Sequence, residues 1–139
     1  MPLSDIVSCP IEKLEEVITH EEPYGLGTWF FAKRVGMIEL CKLGEILGVG
    51  SYDELTSEFN LVGEPLDDGP WPQTIPVGLI SRLKIITDDE INAVVSSWAQ
   101  IEEFKRFDGP GVHSLSEYLK GLRAFLTTNA GPFFLVNAL

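Results

Sequence analysis

ITDDEINAVVSSWAQIEEFKR, Ile86 to Arg106, opens the way a helix opens. Thr87 and Glu90 stand three apart, so the threonine hydroxyl can accept from the third helical amide. The glutamate can reach back to the amide of Thr87, which completes a capping box. Ile86 and Ile91 flank the box at the spacing of a hydrophobic staple, and Asp88 and Asp89 put negative charge where the helix dipole favours it. Ile91, Val94, Val95, Trp98, Ile101 and Phe104 then recur at helical spacing. The pattern predicts one helix through about Arg106, stopped by DGPG at Asp108 to Gly111.

The same grammar recurs on both sides of this stretch. SLSE, Ser114 to Glu117, reads as a second capping box, opening a helix that buries Leu115, Tyr118, Leu119, Leu122, Phe125 and Leu126. SYDE, Ser51 to Glu54, is a third and opens a short helix. Before it, Val35 to Gly48 is apolar on nearly every side, with Glu39, Lys42 and Glu45 as its narrow polar stripe, as expected of a central buried helix. Pro76 to Ile86 predicts a helix with proline at its first position, and IEKLEEVI, from Ile11, a short amphipathic one reaching His20. Thr28 to Val35 suits either a strand or the first turn of the central helix. FNLVGEP and PWPQTIP together suit a two-stranded β element around 59–75, the second arm confined to an edge by its prolines. GPFFLVNAL, at the C-terminus, is too apolar to be solvated and packs back on the body or onto another chain. The fold expected is mainly α: a single domain over 1–139 with five or six helices, and that short two-stranded element as its β content.

Composition sets outer bounds. The chain has 139 residues, 45% hydrophobic and 10% aromatic, enough apolar material for one buried core. It carries 10 basic and 21 acidic residues, a net charge of −11. Phosphate backbones and anionic membranes repel such a surface, so neither nucleic acid nor membrane is an expected partner. The first residues lack a basic and then apolar leader, and the cysteines number only two, Cys9 and Cys41. Both features fit a cytoplasmic protein with reduced thiols.

Chemistry-bearing motifs are not legible. The two histidines, His20 and His113, lie far apart, no cysteine–histidine set has zinc spacing, and no acidic run follows a calcium-loop pattern. Neither a metal nor a cofactor is expected. GxSxG is absent, and Cys41 sits in an apolar helix, where burial leaves a thiol inert. LGVGSY has a GxG but no third glycine or lysine; its glycines punctuate helices. Glu102 and Glu103, beside Lys105 and Arg106, read as a solvated face. Enzymatic activity is therefore not the leading expectation.

The charge distribution is more informative than any motif. No lysine or arginine lies between Lys42 and Arg82, whereas Glu45, Asp53, Glu54, Glu58, Glu64, Asp67 and Asp68 all do. Trp71, held between Pro70 and Pro72 beside this segment, is an aromatic of the kind that anchors interfaces when its loop is already restrained. In size, charge and helical character the chain resembles small acidic immunity or inhibitor proteins that cover a basic toxin; the resemblance matches no motif. The function expected is a protein–protein interaction module binding a basic partner through Asp53, Glu54, Glu58, Glu64, Asp67, Asp68 and Trp71. The alternative is a small-ligand binder or enzyme with a pocket between helices, polar groups Glu39, Lys42 and Glu45. Homo-oligomerisation through the apolar C-terminus is a third expectation.

Overall fold

The computed structural model describes residues 3–19, 27–31, 35–63, 69–105 and 111–138. Among them lie seven α-helices and four β-strands. β1 (Leu3–Ser8) leads through a single 3-10 turn (Ile11–Lys13) into α1 (Leu14–Thr19), and β2 (Thr28–Phe31) follows. Then come α2 (Met37–Ile46), α3 (Tyr52–Glu58), β3 (Trp71–Thr74), α4 (Val77–Ile85), α5 (Asp88–Trp98), α6 (Glu102–Lys105), α7 (Val112–Thr128) and β4 (Phe133–Ala138). Helix dominates, as expected, but the described α-helices number seven where five or six were expected, because the long helix read from Thr87 is split in two. No described helix is long and apolar enough to cross a membrane.

The sheet is larger than the two-stranded element expected. Its four strands run antiparallel in the order β2-β1-β4-β3, so the strands nearest the two ends of the chain pair with each other in the middle. Side chains alternate across a strand, and here the alternation sorts two cores. Ile6, opposite Leu135 and Phe30, joins Phe133 in the main core against α2–α7. Val7, opposite Phe134 and Trp29, joins Val136, Cys9, Leu14 and Val17 in a smaller core under α1. Both faces of the inner strands are thus covered, which is why FFLV is apolar without interruption. The C-terminal residues pack back onto the body, and Phe133 to Val136 are all buried.

The β element around 59–75 does form, as the outer margin of this sheet. Leu61 bridges Gln73, with Val62 N–H donating to the carbonyl of Pro72 and Thr74 N–H to that of Asn60. Pro72 turns its carbonyl toward 60–62, so its nitrogen, which has no hydrogen to donate, faces the same way. The ladder to β4 therefore loses no bond. Gly69-Pro70-Trp71 enters β3 and Gly131-Pro132-Phe133 enters β4 by the same device. Each glycine has positive φ, 71° and 75°, and the following ring lies where a Cβ would stand, 3.0 and 2.9 Å away.

Four helical expectations are corrected. The long helix from Thr87 ends at Trp98, because the backbone tightens into i→i−3 bonds from Gln100 to Ser97 and from Ile101 to Trp98. That turn swings Phe104, on the separate α6, edge-on against Trp98 at 5.3 Å between ring centres. The last helix starts at Val112 with Gly111 as its cap, so Ser114 lies inside the first turn and is not a capping residue. Pro76 likewise stands at the cap of α4 and not at its first helical position. The central helix is α7, which buries Leu115, Leu119, Leu122, Phe125 and Leu126, and packs on α4, α5 and the rings of Phe30 and Phe133. α2 lies further out: it buries Leu40, Cys41, Leu43 and Gly44 but leaves Ile38 and Ile46 38% exposed. The boxes at Ser51 and Thr87 form as read, with cap hydroxyls accepting at 3.2 Å from Glu54 and Glu90 amides.

Candidate functional site

α3 carries Asp53, Glu54 and Glu58 of the segment without lysine or arginine. Leu55 is its one buried residue, reaching so far into α2 that a Cβ on Gly44 would stand 2.5 Å from it. Anchored by that leucine, the helix turns Asp53, Glu54, Ser57 and Glu58 outward, all exposed. Glu54 also serves the start of the helix, where its carboxylate accepts from the cap amide of Ser51 at 3.3 Å. Glu45, from the end of α2, accepts from the amide of Tyr52 at 2.9 Å. Two carboxylates thus satisfy the otherwise open amides that begin α3. Asp53 and Glu58 form no ion pair with a described residue.

The described cations give this face nothing. Lys42 pairs with Glu103 at 2.5 Å, Arg82 pairs with Glu90, and Arg123 pairs with Asp88 at 2.8 Å. These contacts raise the Lys42 pKa and hold the Asp88 and Glu90 carboxyls below their ordinary range. Arg123 also donates to the carbonyl of Ile86 at 2.9 Å, so one α7 side chain ties the end of α4 to the start of α5. Leu61, three residues beyond Glu58 in the chain, is an apolar side chain 50% open to solvent. Leu61 and Trp71 share a side of the pleat, since Leu61 faces Gln73 and Trp71 lies two residues before it. Trp71 is partly buried, its ring over Gly69. The loop proposed from sequence is therefore a sheet strand with an aromatic at its entrance. Glu64, Asp67 and Asp68 lie outside the described residues, as do His20 and Glu22.

The polar stripe of α2 divides into three separate attachments. Glu39 turns back to the helix start and accepts from Gly36 N–H at 3.1 Å; Lys42 reaches α6; Glu45 caps α3. Burial pushes the Glu39 carboxyl above its ordinary value, opposed by its backbone hydrogen bonds, with the negative charge of Glu103 adding to the rise. Sequence reading missed the two groups that join this region. Glu103, read as part of a solvated face, is the partner of Lys42 across 61 positions in sequence. Tyr118, read only as core, aims a hydroxyl inward that is fully buried and bonded to no described group. Burial raises the Tyr118 pKa, and the charges of Glu39 and Asp5 add to that rise. Its ring packs against Phe30 and Trp98 at 5.3 and 5.9 Å. A single sequence offers no signal for either, because both depend on which helices meet.

A second polar chain crosses the sheet on the helix side. Ser4 Oγ donates to Asn137 at 2.8 Å, Asn137 Nδ2 donates to Gln73 at 2.8 Å, and Gln73 Nε2 lies 3.8 Å from the Met37 sulfur. It links β1, β4, β3 and the first turn of α2 and pairs the partly buried side-chain amides of Asn137 and Gln73. Cys9 and Cys41 are both free and buried, and burial raises both thiol pKa values, which makes them poor nucleophiles. Among the described residues no group of three or more histidine, cysteine or carboxylate side chains could hold a metal ion.

Comparison with protein-family models, curated proteins and solved structures finds no match for this chain.

Proposed function

We propose that this protein is an interaction module that receives a basic protein partner on the outer face of α3. The observation that carries the reading is the exposed run Asp53, Glu54 and Glu58 on a helix with one buried anchor, inside a stretch of chain that holds no lysine or arginine from 43 to 81. Opposite charge steers encounter and sets orientation, and an apolar neighbour supplies contact area once water is expelled. Leu61, with Trp71 on the same side of the pleat, is that neighbour. An inhibitor or immunity role is the form of this function that best fits a small acidic module, because covering a basic active surface needs a rigid face and no chemistry of its own.

Charge reversal tests it. Asp53→Lys with Glu58→Lys inverts the face while leaving the capping pair Ser51 and Glu54 intact, so circular dichroism should be unchanged. In quantitative affinity purification from the native host, the partner's recovery should fall by about tenfold or more, equivalent to ~1.4 kcal/mol. For the unaltered protein, the same recovery should weaken between 0.05 and 0.5 M salt, as roughly 10 Å of screening length at 0.1 M implies. A partner recovered equally by both proteins at all salt concentrations would remove the acidic face from the interaction.

A further inference from the structure

We draw no further inference here: the strongest candidate, the half-buried Glu39 carboxylate of α2 and the buried Tyr118 hydroxyl of α7, lies beside the packed rings of Phe30 and Trp98 already described, and nothing among the described residues points to a ligand that would reach it.

Discussion

Trp98 shows how one side chain holds several elements at once. It has no exposed surface, its indole N–H donates to the Glu39 carbonyl at 2.9 Å, and its ring meets Phe104 and Tyr118. Trp98→Phe removes the indole donor from the Glu39 carbonyl and opens volume between α2, α5 and α6. Urea unfolding should show a loss of ~2–4 kcal/mol. Glu39 makes a second prediction, about pH. Its folded pKa is raised above the ordinary value of 4.5, so the folded state binds the proton more tightly than the unfolded chain does. The charged carboxylate therefore lowers stability above the raised pKa, and the penalty fades as pH falls toward 4.5. Glu39→Gln can still accept from Gly36 but does not titrate. Its unfolding midpoint should gain on the wild type as pH rises from 4.5 to 7.5, and parallel curves would show that burial does not perturb Glu39. The helical address of both residues was legible from periodicity. Their partnership was not, because 59 positions separate them.

At the scale of elements, local chemistry was the better guide. Thr87 and Glu90 form their box because both halves lie within one turn, where no tertiary contact is needed to bring them together. Thr87→Ala should cost ~1 kcal/mol, read as a shifted thermal or urea midpoint, and leave α5 otherwise folded. The end of that helix was not legible. Ile101 and Phe104 keep helical spacing after Trp98, yet α5 stops there, since Phe104 gains its contact with Trp98 only once the backbone turns. Ser114 misled for a similar reason: a serine three residues before a glutamate carries no mark of whether Gly111, further upstream, already caps the helix. The acidic stripe of α3 was readable because exposure there follows from a short helix with one apolar anchor.

Over the whole molecule, the consequence with widest reach is the pairing of β1 with β4. Removing Pro132 to Leu139 takes out an inner strand, six pairings to β1, four to β3, and buried residues of both cores. The truncated chain should lose cooperative unfolding and dispersed amide resonances; a truncated chain that stays folded would show β4 to be dispensable. The apolar C-terminal run, which from sequence served equally as an oligomer interface, is thus occupied within the fold. By itself the sequence determined the helical character, two of the capping boxes and the placement of negative charge, because each depends on groups within a few residues or on composition. Tertiary structure decided the sheet. LSDIVS and FFLVNA acquire their meaning as strands only by meeting across almost the full length of the chain, and that closure, with the packing that rewards it, lies beyond any local pattern.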